Sequence, residues 1–208
     1  MEFPQLADPL AELRRRLIPG ERIILGIAGA PGSGKSTCAA WVEQQFDPGV
    51  AVVVPMDGFH LGNAIIAGTP LRNRKGAIDT FDGGGYLSLL RRLRARDEEV
   101  VYAPEFRRTI DEPVAATIAV PASTQLVITE GNYLLIPDHP WSEVRELLTE
   151  SWFLGTPEAT RLEWLVARHV AFGMAAQDAA DWANGPDQAN ADLIQATRHR
   201  ADRIISWA

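Results

Sequence analysis

Apolar positions along this chain follow two rhythms that alternate from start to end. Over residues 6–17, Leu6, Leu10, Leu13 and Leu17 fall at helical spacing with Arg14, Arg15 and Arg16 between them, and Pro19 and Gly20 close the segment. Residues 22–28, rich in isoleucine, read as a buried strand, followed by a glycine-rich turn and a helix from 34 to about 45. A second apolar run at 50–54 lies between Asp47-Pro48-Gly49 and Pro55 and reads as another buried strand. Residues 58–83 are irregular and glycine-rich, with a short helix near 61–67; 86–96 is helical, its basic residues toward the C-terminal end where the helix dipole favours them.

Further on, 100–102 and 114–120 read as short strands and 125–129 as a third main strand. A helix is expected over 141–150, a fourth strand over 151–154, and a long helix over 157–170 with proline in its first turn. Segments 178–183 and 189–199 are expected to be helical, and 203–207 a last strand. Strands alternating with helices predict an α/β fold of three layers, a mostly parallel sheet with helices on both faces. Trp152, Trp164, Trp182 and Trp207 are expected to pack rather than to stack on a base.

Length and charge narrow the function. The 208 residues suit one domain, and no repeat or linker divides them. A net charge of -7 speaks against a nucleic-acid binder. No apolar run approaches the roughly 18 residues of a membrane helix, and the first residues lack the basic and apolar regions of a signal peptide. The single cysteine, Cys38, excludes an intramolecular disulfide, so a cytoplasmic protein is expected, with a homodimer left open. Of 20 basic residues only Lys35 and Lys75 are lysines, which marks both as sites that want a compact ammonium.

The chemistry starts at Gly29, where G-x-x-x-x-G-K-S runs to Ser36 between an apolar strand and a helix. Such a loop turns its N–H groups onto a phosphate, and the helix N-terminus adds favourable field. Lys35 would reach the β- and γ-phosphates and Ser36 would hold Mg²⁺. Asp82-Gly83-Gly84-Gly85 formally fits a GTPase switch, yet it follows no strand and the chain has no N-K-x-D motif. Glu130 ends the apolar run that begins at Leu126, and Asp57 follows the second strand; acids at the carboxyl ends of parallel strands face the ligand crevice. His60, Arg74, Lys75, Phe81, Tyr102, Phe106 and Arg107 lie in irregular segments after strands and form the expected acceptor pocket. Four scattered histidines and one cysteine lack zinc-ligand spacing.

Together these motifs resemble the P-loop kinase family of uridine kinase, phosphoribulokinase and bacterial pantothenate kinase. The resemblance rests on the P-loop, Met56-Asp57-Gly58-Phe59-His60, Arg74-Lys75-Gly76 with Thr80-Phe81-Asp82, the segment from Tyr102 to Arg107, Glu130-Gly131-Asn132-Tyr133, Arg168-His169 with Gly173, Asn190-Ala191 and Thr197-Arg198. Within that family the chain is similar to bacterial fructose transport system kinase-like and nucleoside/nucleotide kinase family proteins. Gly58-Phe59-His60 stands where nucleoside kinases carry Ser-Phe-Tyr, which argues against a nucleoside acceptor.

The resemblance implies an ATP- and Mg²⁺-dependent phosphotransferase acting on a hydroxyl of a small metabolite. It implies nucleotide contacts from Gly29, Gly32, Ser33, Gly34, Lys35, Ser36, Thr37 and Arg198, metal contacts from Ser36 and Glu130, and Asp57 as base. Acceptor contacts are expected from His60, Lys75, Phe81, Tyr102, Arg107 and Asn132, and a lid over about 168–185 whose Arg161 and Arg168 share one helix face and close over ATP. Two rivals stand: a nucleoside monophosphate kinase gripping an acceptor phosphate with Arg72, Arg74, Arg107 and Arg108, and a nucleotide-binding regulator that senses a sugar.

Overall fold

In the computed structural model, which describes residues 3–206, the apolar runs pair side by side in parallel. Helix α1 (Ala7–Arg16) leads into strand β1 (Ile23–Ala28), helix α2 (Lys35–Glu43) and strand β2 (Ala51–Pro55). A short helix α3 (Asn63–Ile66) and the longer α4 (Gly83–Ala95) precede a hairpin of β3 (Val100–Arg107) and β4 (Glu112–Pro121). Then follow β5 (Leu126–Gly131), α5 (Trp141–Leu147), β6 (Glu150–Gly155), α6 (Glu158–Ala171), α7 (Ala176–Asn184), α8 (Pro186–Gln195) and β7 (Arg203–Ser206). The main sheet has the order β2-β5-β1-β6-β7, every pair parallel.

Side chains alternate across β1 and divide the interior into two cores. Ile23, Leu25 and Ile27 join Leu6, Leu10 and Leu13 from the N-terminal segment and Cys38 and Val42 of α2. Ile24 and Ala28 face Tyr86, Leu90 and Leu93 of α4 and Trp141 and Val144 of α5. Strands covered on both faces read as continuous apolar runs, which is why β1 and β5 are buried at every position. No helix among the described residues is long and apolar enough to cross a membrane.

The chain leaves β1 toward β2 on one side and leaves β5 toward β6 on the other. Because β1 and β5 are neighbours, their carboxyl ends part into a crevice, the usual ligand position in an open α/β sheet. Register puts Glu130 of β5 opposite Ile27 of β1 and Pro55 of β2, so the P-loop, Glu130 and Asp57 all emerge at this crevice.

Several boundaries differ from the sequence expectation. The two short strands at 100–102 and 114–120 are longer and pair with each other, antiparallel, outside the main sheet. The helix expected over 141–150 stops at Leu147, since Leu148 is already extended and Glu150 opens β6. The helix expected over 189–199 starts at Pro186 and gives way to a 3₁₀ turn at Arg198–Arg200. Trp152 is fully buried, whereas Trp164 on α6 is 40% exposed and outside the core. Trp207 lies outside the described residues.

One close backbone contact helps to set the hairpin against the sheet. Gly58, in the turn after β2, lies against the Pro104 carbonyl of β3, and a Cβ there would overlap it. Pro104 sits where the hairpin register shifts between Ala103 and Glu105; proline has no N–H to give a ladder and is confined to such sites. A Gly58→Ser variant therefore has to push backbone, not a flexible side chain. It is expected to lose about 1–3 kcal/mol of stability, read as a lowered midpoint in chemical denaturation; an unchanged midpoint would remove this contact as the hairpin's anchor.

Candidate active site

The glycine-rich loop after β1 is shaped by its backbone angles. Gly32 and Gly34 have φ of +80° and +86°, values that side chains disfavour, and a Cβ on Gly32 would collide with the Arg161 carbonyl oxygen at 2.7 Å. The loop's outward carbonyls are taken up from α6 and its approach. Thr156 Oγ1 donates to Ser33 O at 2.8 Å and Arg161 Nη1 donates to Pro31 O at 3.1 Å. With those oxygens held outside, the loop amides and the start of α2 are left for an anion. Ser33 Oγ is buried with no hydrogen-bond partner among the described residues. Arg161 is buried and also bonds Gln188, so it braces the P-loop rather than closing over a ligand as its spacing from Arg168 suggested.

Lys35 folds back to donate to Ala30 O at 3.0 Å. Burial pulls its ammonium down to about 8, against the opposing pull of Glu130 and Asp57. Ser36 Oγ donates to Glu130 Oε1 at 2.8 Å, and burial together with Asp57 raises the Glu130 carboxyl above its ordinary range. Among the described residues no three His, Cys, Asp or Glu side chains gather to hold a metal. The hydroxyl and carboxylate pair instead fits Mg²⁺, which is commonly held by one or two protein oxygens plus phosphates and water.

A cavity of about 510 Å³ opens from this point. Lys35, Ser36, Asp57, Glu130 and Arg168 line it together with His60, Lys75, Phe81, Phe106 and Asn132. His60 lies between the rings of Phe81 and Phe106, with centroids 4.0 and 4.6 Å away. Its Nδ1 is 2.8 Å from the Asp57 carbonyl oxygen. A carbonyl can only accept, so Nδ1 carries the proton and Nε2 keeps its lone pair. Burial also lowers the His60 imidazole pKa, against the opposing pull of Asp57.

Lys75 lines the cavity but is already engaged. Its ammonium meets Asn63 Oδ1 at 2.9 Å, Asp111 O at 2.6 Å and Asp111 Oδ2 at 2.8 Å, and sits 5.1 Å from the Phe106 ring centroid. It ties the loop before α4 to the hairpin tip. Tyr102 and Arg107, by contrast, point away: Tyr102 is 56% exposed, and Arg107 is an exposed residue near Glu105. The hairpin register breaks between these positions: Ala103 pairs with Ile118 but Glu105 with Val114, so β4 carries two extra residues opposite Pro104, and beyond the break Phe106 and Arg108 line the cavity while Arg107 does not. Arg198 lies on an exposed turn beside Gly155, outside the cavity.

Of the four arginines of the mononucleotide reading, only Arg72 and Arg108 line the cavity. Arg72 is bonded to Asn63 and Asp111, Arg74 to Asp79, and Arg107 is turned outward. Phe172, Met174 and Trp182, within the span expected as a lid, line the cavity with apolar surface; of these Trp182 was expected only to pack. His169 Nε2, 2.8 Å from Asp187 Oδ2, joins the end of α6 to the start of α8.

No family model matches the chain. It is, however, 32% identical over 196 residues to a Schizosaccharomyces pombe protein provisionally named uridine kinase C227.14, an alignment covering 89% of this chain and 83% of that protein. This chain belongs to the uridine kinase-like family of P-loop kinases. The crystal structure of a provisionally named fructose transport system kinase from Silicibacter sp. TM1040 is 36% identical to this kinase. It superposes with a TM-score of 0.85 over 96% of this chain and 98% of that one. YFH7 from Saccharomyces cerevisiae, at 18% identity, TM-score 0.81 and 99% and 98% coverage, shares the fold. As a family member the protein is an ATP-using small-molecule kinase.

The buried lysine gives a pH signature. Ligand-free Lys35 loses its proton above about pH 8, while phosphate binding needs the ammonium. Affinity for a non-hydrolysable ATP analogue is expected to fall above that pH, approaching about tenfold per pH unit. The stability of the ligand-free fold moves the other way. The unfolded chain holds the extra proton between about 8 and 10.5, so Lys35 adds stability as pH rises through that window. Calorimetric titration of wild type and Lys35→Met checks this: the variant should bind weakly throughout and show no step near pH 8, and a shared step would assign the titration elsewhere.

Proposed function

We propose that this kinase transfers the γ-phosphoryl group of ATP, with Mg²⁺, to a hydroxyl of a small polar metabolite. The observation that carries this is the meeting of Lys35, Ser36, Glu130 and Asp57, from the ends of three adjacent parallel strands, in the lining of one cavity. Lys35 and the loop amides from Gly29 to Ser36 bind the phosphates, and Thr37 and Arg198 belong to the nucleoside side. Ser36 and Glu130 hold Mg²⁺, which supplies charge neutralisation of the phosphate oxygens. Asp57 accepts the hydrogen bond of the acceptor hydroxyl and takes its proton as that oxygen bonds to the γ-phosphorus and the bond to the departing ADP oxygen breaks. Arg168, reaching in from α6, spreads charge on the transferred group.

Phe172, Met174 and Trp182 would close as part of a lid over about 168–185, with Gly173 (φ +95°) as its turn. Closure of this kind excludes water from the reacting phosphoryl. Protease cleavage between 172 and 183 should slow when nucleotide and acceptor are both bound; equal rates would make this an ordinary surface segment.

Two substitutions separate the acid roles. Asp57→Asn keeps size and removes charge, so turnover should fall about 10²–10⁴-fold with the KM for ATP little changed. Glu130→Gln should instead raise the Mg²⁺ concentration needed for half-maximal rate. ATP consumption measured against sugars, nucleosides, nucleotides, hydroxy acids and pantothenate supplies the acceptor for both. Normal turnover by Asp57→Asn, or its full rescue by added Mg²⁺, would overturn the base assignment.

A further inference from the structure

Arg108 and Arg168 are cations of this cavity whose guanidinium groups make no side-chain hydrogen bond among the described residues. The other acceptor-side cations are engaged: Lys75 by three acceptors, Arg72 by Asn63 and Asp111. Arg108 reaches inward just past the end of β3, its guanidinium carbon 5.7 Å from the Phe172 ring centroid. The carboxylate nearest to it is Asp57, with Nη2 to Oδ2 at 3.6 Å, beyond hydrogen-bond length, and both side chains are part-exposed; Glu130 acts on it from further off. A guanidinium carries five N–H donors in a planar fork that suits an oxyanion. Across the cavity Arg168 lies close enough for the two guanidiniums to repel. Two converging cations with spare donors favour an anion between the lid and the hairpin.

His60 adds a second constraint. Its ring is fixed by Phe81, Phe106 and the Asp57 carbonyl, which leaves Nε2 as a hydrogen-bond acceptor on the cavity wall. An acceptor alone cannot bind an anion, but it can take a hydroxyl proton. Asp57 likewise wants a hydroxyl. The wall therefore asks for two hydroxyls beside one negative group.

Building on the kinase reading above, we propose that the acceptor is a small hydroxylated anion, whose carboxylate or phosphate is bound by Arg108 while Asp57 and His60 each take a hydroxyl. The closeness of Arg108 to Asp57 keeps the negative group roughly two to four bonds from the phosphorylated oxygen, given bonds of about 1.5 Å. Arg108 is then a specificity-determining residue contributed by the hairpin, and its stacking on Phe172 links anion binding to the lid.

The test uses matched acceptors on one carbon skeleton: three- to six-carbon polyols, the corresponding aldonic acids, and the sugar phosphates. Phosphorylation rates are measured with wild type and Arg108→Gln, and binding of each compound is measured calorimetrically with a non-hydrolysable ATP analogue and Mg²⁺ present. The charged members should exceed their neutral parents in kcat/KM by about 10- to 100-fold, the size of a charged hydrogen bond. In Arg108→Gln that advantage should disappear, through KM. Whether acids or phosphates respond identifies the group. A neutral parent used as well as its charged partner would overturn the proposal, as would an equal fall in kcat for all acceptors in Arg108→Gln, which would place Arg108 on the transferred phosphoryl. Absence of binding by every charged member to wild type would also overturn it. Failure of the ATP analogue itself to bind would count against the kinase reading, so the two failures are distinct.

Discussion

The site depends on charges held where water is scarce. Glu130 and Lys35 are both buried at the mouth of the crevice, and each is pushed toward its neutral form by that burial. Neither is matched by a tight ion pair: Lys35 donates to a backbone carbonyl and Glu130 accepts from a serine hydroxyl. An isolated buried charge is expensive, and the parallel sheet supplies the rigidity that keeps these groups in place. A phosphate chain with its cation brings both missing partners at once, negative oxygens for Lys35 and a metal for Glu130.

The acceptor side is built on a different principle. The β3–β4 hairpin stands outside the main sheet, so its position relies on a few contacts. Gly58 admits the Pro104 carbonyl next to Asp57, and Lys75 clamps the hairpin tip through Asp111. Asp111 itself has φ of +53°, a left-handed conformation that aspartate tolerates better than most residues. The absence of a side chain at Gly58 thus sets the distance between the strand that carries the base and the hairpin that carries Phe106 and Arg108. A serine in its place would move the wall of the pocket, which gives a physical reason for the departure from the nucleoside kinase pattern.

Much of this was legible in the chain. The parallel sheet follows from buried runs alternating with helices, and the P-loop carries its own geometry through Gly32, Gly34 and Lys35. Glu130 and Asp57 could be placed because a strand's carboxyl end is visible as the point where an apolar run meets an acid. The hairpin was harder to read. The register there breaks by two residues of β4 opposite Pro104, which periodicity does not encode; a proline within a strand was the available signal. Arg161 misled for a related reason. Its seven-residue spacing from Arg168 gives a shared helix face, but the P-loop carbonyl lies under only one end of that face. Trp164 and Trp182 depend on how α6 and α7 pack, which periodicity does not encode.

The two lysines of this arginine-rich chain show how far side-chain shape explains composition. At position 75 the ammonium meets three acceptors around one nitrogen, two of them on Asp111, an arrangement that a planar guanidinium cannot reproduce. At position 35 the side chain is buried against the loop it follows, where burial shifts a lysine's proton equilibrium and would leave an arginine's charge in place. Arginine serves elsewhere, where a broad fork has room: on the helix surfaces, at the P-loop brace through Arg161, and at the cavity wall through Arg108 and Arg168. Lysine remains where one nitrogen must fit among its acceptors, and both lysines line the same cavity.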